Sequence, residues 1–112
     1  MKPYKPYIPQ TLSELWDQLG SMVLGATTFV DRSGYFPERS IETEFFSLNE
    51  SLKLLRPKFG ETNFATMMEL SDRMRAYFES DPEDNSEGGL KGRECIYAME
   101  EVIRSVRKQG RK

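Results

Sequence analysis

The sequence predicts an all-α fold, a small four-helix domain with an extended N-terminal arm and one irregular loop over residues 26–39. Three observations predict it. Four stretches carry apolar residues at steps of three and four, the period of a helix with one buried face. Each stretch is bounded by capping or helix-breaking residues. The chain has 112 residues, 38% hydrophobic and 30% charged, which is the size and balance of one domain around one core. The expected organisation is an arm over residues 1–10, a single helical domain over 11–109 and a basic tail over 110–112.

The arm holds three prolines, Pro3, Pro6 and Pro9, interleaved with Tyr4, Tyr7 and Ile8. Proline lacks a backbone donor and forces its predecessor into extended geometry. The arm either lies on the domain through Tyr4, Tyr7 and Ile8 or hangs free. Thr11 with Glu14 three positions later has the form of a capping box. Leu12, Leu15, Trp16, Leu19, Met22 and Val23 then follow at helical spacing, so a helix is expected over about 12–24, ending near Gly25. Gly20 weakens it by roughly 1 kcal/mol relative to Ala; the alternative is a break there and a short strand over 22–24.

Residues 26–39 are the least regular. Thr27, Thr28, Phe29 and Val30 have strand-like chemistry, Asp31 to Gly34 are turn residues, and a structured loop is preferred to a strand. Ser40 caps the second helix, with Glu42 and Glu44 suited to the dipole of its first turn. Its stripe is Ile41, Phe45, Leu48, Leu52 and Leu55, widened by Phe46 and Leu54. Pro57 and Gly60 are expected to stop it. A third helix starts near Thr62 or Asn63, burying Phe64, Met67, Met68, Ser71, Met74 and Phe78, and ends at Asp81-Pro82. Residues 83–89 read as a polar loop. The last helix opens at Leu90 or Lys91 and buries Cys95, Ile96, Met99, Val102, Ile103 and Val106. Gly92 lies on that face, where a missing side chain permits close helix approach.

Composition removes whole classes of chemistry. There is no histidine and one cysteine, Cys95. That excludes Ser-His-Asp and Cys-His nucleophiles and a standard zinc site within one chain. A lone Cys makes no internal disulfide, and no stretch approaches the roughly 18 apolar residues of a membrane span. With no apolar leader run at the N-terminus, the expectation is a cytoplasmic protein. The expected catalytic residues, metal ligands and cofactors are none.

Charge is unevenly placed. Residues 38–101 hold eight basic and 15 acidic side chains, net −7, whereas residues 102–112 hold five basic and none acidic. An acidic body disfavours nucleic acid and favours a basic partner. The densest acidic run is Glu79, Asp81, Glu83, Asp84 and Glu87, the expected partner-binding residues. Asp81, Glu83 and Asn85 alternate as calcium ligands do, but Ser86 and Gly92 stand where an EF-hand loop needs Gly and Glu. The metal reading therefore fails its own pattern. What remains is a solvated carboxylate loop, with some carboxylates serving the next helix N-terminus and others meeting Lys and Arg of a partner. Arg93 is placed to reach Asp81 or Asp84 and hold the loop. The basic residues Arg104, Arg107, Lys108, Arg111 and Lys112 read more simply as cations complementing a helix C-terminus than as a nucleic-acid surface.

Four segments carry a family resemblance. They are Glu44-Phe45-Phe46-Ser47-Leu48-Asn49-Glu50, Leu70-Ser71-Asp72-Arg73-Met74, Phe78-Glu79-Ser80-Asp81-Pro82-Glu83-Asp84 and Gly92-Arg93-Glu94-Cys95-Ile96-Tyr97-Ala98-Met99-Glu100. Residues 41 to about 107 resemble the small helical immunity proteins of bacterial contact-dependent growth inhibition and related polymorphic toxin systems. The resemblance implies a non-enzymatic cytoplasmic inhibitor of one cognate toxin domain, often a basic nuclease, whose active surface it covers. With the acidic body and the lack of an apolar span, the expected partner is a protein, with no nucleic acid and no membrane. The alternative is a helical structural or regulatory module that self-associates or docks on a host protein through exposed apolar residues such as Tyr4, Tyr7, Tyr35 and Phe36.

Overall fold

A computed structural model describes residues 6–29 and 40–109 of the chain. It contains four helices, α1 (Leu12–Gly25), α2 (Ile41–Leu54), α3 (Arg56–Glu79) and α4 (Glu87–Gln109). The described residues contain no strand. The α3–α4 interface is the most extensive, followed by α2–α3 and α1–α4, with a slight α1–α2 contact. The diagonal pairs α1–α3 and α2–α4 do not approach. The helices therefore form a ring of neighbours around one core, in the manner of a four-helix bundle.

α1 begins where the cap places it. Thr11 Oγ1 accepts from the Glu14 N–H at 3.1 Å, satisfying a first-turn donor. The Glu14 carboxylate accepts from the Gln10 N–H at 2.8 Å and from the Tyr7 hydroxyl at 2.8 Å. α1 runs through Gly20 without a break. Residues 6–10 lie on the domain: Ser47 Oγ donates to the Tyr7 carbonyl and Ser51 Oγ to the Pro9 carbonyl at 2.7 Å. Proline-rich backbone has few internal partners, so serines on α2 supply them. Tyr4 lies outside the described residues, as do Val30 to Arg39, with the turn over Asp31–Gly34, Tyr35 and Phe36, and the tail over residues 110–112.

The strand-like stretch at 27–29 becomes a core plug. Phe29 is 2% exposed and meets Phe45 edge-on at 6.1 Å and Phe78 at 5.6 Å between ring centroids. Its φ of 62° lies in the left-handed region. That costs about 1–2 kcal/mol for a bulky residue, which is offset by burying a whole ring against two others. Around this aromatic trio pack Leu15, Leu19, Met22, Leu48, Leu52, Met67, Met74, Ile96, Met99 and Ile103, all fully buried.

Two boundaries differ from the sequence expectation. α2 stops at Leu54, ahead of Pro57 as expected, but α3 starts at Arg56 rather than near Thr62, with Pro57 in its first turn. Proline suits that place because the first N–H groups of a helix have no internal acceptor. A second break falls at Gly60, whose φ of 79° and ψ of 164° are non-helical and open essentially only to glycine. α3 thus starts with one separate turn and resumes after Gly60. At the other end of the hairpin, α4 opens at Glu87, three residues earlier than Leu90. Gly88 and Gly89 are buried helical residues rather than loop. The reason is space. A Cβ on Gly88 would fall within 2.7 Å of the Tyr77 carbonyl oxygen, Asp81 Cβ and Ser80 Oγ. A Cβ on Gly92 would fall within 2.7 Å of three Phe78 ring carbons. Gly88, Gly89 and Gly92 let the start of α4 close onto the end of α3.

Candidate interaction surface at the α3–α4 corner

The connection between α3 and α4 is built around Asp81. This side chain is 2% exposed. Its Oδ1 accepts the Asn85 N–H at 3.0 Å, and its Oδ2 accepts the Ser86 N–H at 3.0 Å and the Gly89 N–H at 2.9 Å. One carboxylate therefore satisfies donors at the N-terminus of α4, where the helix dipole also favours negative charge. Burial pushes the Asp81 pKa up, but the backbone N–H groups of Gly89, Asn85 and Ser86 outweigh it and hold the carboxyl below its ordinary range.

Asp84 is the second anchor. Its φ of 55° is left-handed, a conformation aspartate tolerates. Its N–H donates to the Asp81 carbonyl at 3.0 Å. Arg93 donates to both Asp84 carboxylate oxygens at 2.8 Å, the fork-to-fork geometry of a strong ion pair. The same guanidinium donates through Nε to the Val23 carbonyl near the end of α1 at 3.1 Å. The Arg93 guanidinium holds the Asp84 carboxyl below its ordinary range, and Asp84 in turn raises Arg93. A third tie comes from the other loop, where Thr27 Oγ1 donates to the Pro82 carbonyl at 2.8 Å. Arg93 thus takes the loop-holding place its sequence position suggested, with Asp84 as partner.

The five acidic residues separate into two kinds. Asp81 is buried and Asp84 is paired, so both hold the corner together. Glu79, Glu83 and Glu87 point outward. Glu79 meets Arg75 at 3.4 Å and Glu87 meets Lys91 at 3.5 Å, both i,i+4 pairs on the surface. Exposed pairs of this kind contribute about 0.3–0.5 kcal/mol, so an incoming cation displaces them easily. Among the described residues, Glu83 accepts a long contact from Asn85 Nδ2 at 3.5 Å. The corner is a fixed turn presenting three replaceable carboxylates.

Sequence reasoning expected some carboxylates of this run to serve the N-terminus of the last helix but did not single out Asp81 as the buried one. Its place just ahead of Gly88-Gly89 was the available signal: a carboxylate there can accept the Gly89 N–H once the helix starts at Glu87. It also missed Phe29 as a core residue, for which the local sequence holds no signal.

Among the described residues, no three His, Cys, Asp or Glu side chains converge as metal ligands would. Cys95 is 5% exposed, and burial pushes its thiol up, away from the reactive thiolate. No helix is long and apolar enough to cross a membrane among the described residues. Comparison with family models, with curated proteins and with solved structures gives no match for this chain.

Proposed function

We propose that this protein is a non-enzymatic cytoplasmic binding protein of the immunity type, neutralising one cognate bacterial toxin domain by laying its acidic corner on that domain's basic surface. The observation that carries the reading is the division of labour at the corner. Asp81, Asp84 and Arg93 hold the turn rigid from within, which leaves Glu79, Glu83 and Glu87 preorganised for a partner. A preorganised surface loses little entropy on binding, and a patch of one sign speeds encounter with the opposite one. The resemblance of residues 41–107 to immunity proteins points the same way. A toxin that acts on nucleic acid presents such a basic surface, and carboxylates occupying it stand where phosphates would.

The test is co-expression with the candidate toxin domain, scored as cell survival, followed by binding kinetics. Wild-type protein is expected to rescue growth. The triple variant Glu79→Gln, Glu83→Gln, Glu87→Gln is expected to melt as wild type does while its association rate falls by about tenfold at low salt, a gap that closes as salt rises. Soluble wild-type protein that fails to rescue would sink the immunity reading for that pair. A triple variant that binds at the wild-type rate would remove the acidic corner from it.

A second reading, self-association, is favoured by exposed apolar side chains. Leu24 is 87% and Leu90 65% exposed, and Arg93, one turn from Leu90, reaches the Val23 carbonyl beside Leu24. Light scattering across a concentration series decides it: a mass that stays that of one chain removes this reading.

A further inference from the structure

At the far end of α4 from the acidic corner lies a cleft of about 600 Å³ lined by Trp16, Arg104, Arg107 and Lys108. Its size is that of small-molecule sites. Among the described residues its lining is one aromatic ring and three cations. Arg104, Arg107 and Lys108 follow at i, i+3 and i+4, so one face of α4 presents all three. Trp16 comes from α1 and is half-buried; the Arg104 guanidinium lies 5.7 Å from its ring centroid.

Two features reduce the positive charge. Glu101 meets Arg104 at 2.6 Å from outside the cleft, and the C-terminal end of a helix carries about half a negative charge. Against the three cations these leave a balance of about +1.5 charges among the described residues. Complementing the helix end would need cations but no aromatic wall, and it would need no cleft. The ring and the concave shape are what the simpler account leaves over.

The geometry points to a nucleotide site, in which a planar base lies against Trp16 and Arg104 while phosphates sit between Arg107 and Lys108. Guanidinium and ammonium groups bind phosphate oxygens by charge-assisted hydrogen bonds. Aromatic and guanidinium planes take a base of any identity by stacking. The site lies on residues the acidic corner does not use, so it stands or falls independently of the immunity reading.

Trp16 is the only tryptophan of the chain, so its fluorescence reports on this cleft alone. The full chain is titrated with ADP, with pyrophosphate and with adenosine, exciting at the red edge where adenine does not absorb. ADP is expected to change the emission saturably, with pyrophosphate and adenosine each binding at least about tenfold more weakly, because each keeps only part of the contacts. The double variant Arg107→Glu, Lys108→Glu is expected to lose about tenfold or more in ADP affinity with an unchanged helical circular dichroism spectrum. Calorimetry on Trp16→Leu supplies a readout without the fluorophore: ADP and pyrophosphate should then bind alike. The inference is overturned if ADP gives no saturable change up to low-millimolar concentration. It is also overturned if pyrophosphate binds wild-type protein as tightly as ADP, or if the double variant binds ADP as wild type does.

Discussion

Asp81 accepts three backbone N–H groups from inside the fold, and Asp84 accepts two bonds from Arg93. Both carboxyls are held below their ordinary range. A depressed folded pKa means that the unfolded chain takes up the proton first as pH falls. The stability these groups contribute is therefore fully present above the unfolded value of about 3.9 and is lost as pH falls through the folded value. Thermal melts between neutral pH and about pH 2.5 are expected to show this loss in wild type. Asp81→Asn should melt several degrees lower at neutral pH, because an amide oxygen replaces a charged acceptor, and should show a shallower acid dependence. Equal acid dependence in wild type and variant would place the loss on other carboxylates. Arg93→Lys keeps the charge but not the fork, so it should loosen the corner and speed amide exchange at residues 84–89.

At the scale of elements, glycines that look alike in the sequence differ in what surrounds them. Gly20 lies mid-α1 with nothing within 4 Å of an added Cβ. Gly20→Ala should stabilise by about 0.5–1 kcal/mol through helix propensity and a less flexible unfolded chain. Gly92→Ala gains the same propensity but drives its methyl group into the Phe78 ring, and overpacking of this kind costs about 1–3 kcal/mol. The two substitutions should therefore have opposite signs in chemical denaturation. Gly60→Ala meets no neighbour, yet φ of 79° with ψ of 164° should cost it about 1–3 kcal/mol. A stabilised Gly92→Ala would mean that the α3–α4 approach is looser than the ring contact implies.

Across the whole molecule, α4 separates two charged ends. Glu87 and Arg107 lie twenty positions apart on one helix, which is about 30 Å. That is several times the screening length of about 8 Å at physiological salt. Charge reversal at Arg107 and Lys108 should thus change the association rate at the acidic corner by less than about twofold. A larger effect on toxin-domain binding would show that the partner spans both ends. The two proposed sites are physically separable, and each can be removed without touching the core.

The sequence by itself determined the four amphipathic stripes, the Thr11 and Ser40 caps, the core methionines and the acid–base polarity of the chain. Each of these follows from neighbours within one or two helical turns, so period and local chemistry are enough to read them. Leu15, Leu48, Met74, Ile96 and Ile103 are buried as their spacing requires. The start of α4, the role of Asp81 and the burial of Phe29 were decided only by tertiary structure. Gly88 and Gly89 read as loop until the fold sets Tyr77 and Ser80 against Gly88, and Asp84 against Gly89, in the space a side chain would need. Asp81 reads as one acid among five until the N–H groups of Asn85, Ser86 and Gly89, at and just before the start of the next helix, converge on it. Phe29 reads as strand chemistry until Phe45 and Phe78, from two other helices, make the cavity it fills. Local sequence carries propensity and period, whereas close approach and satisfaction of buried donors depend on which distant residues the fold brings near.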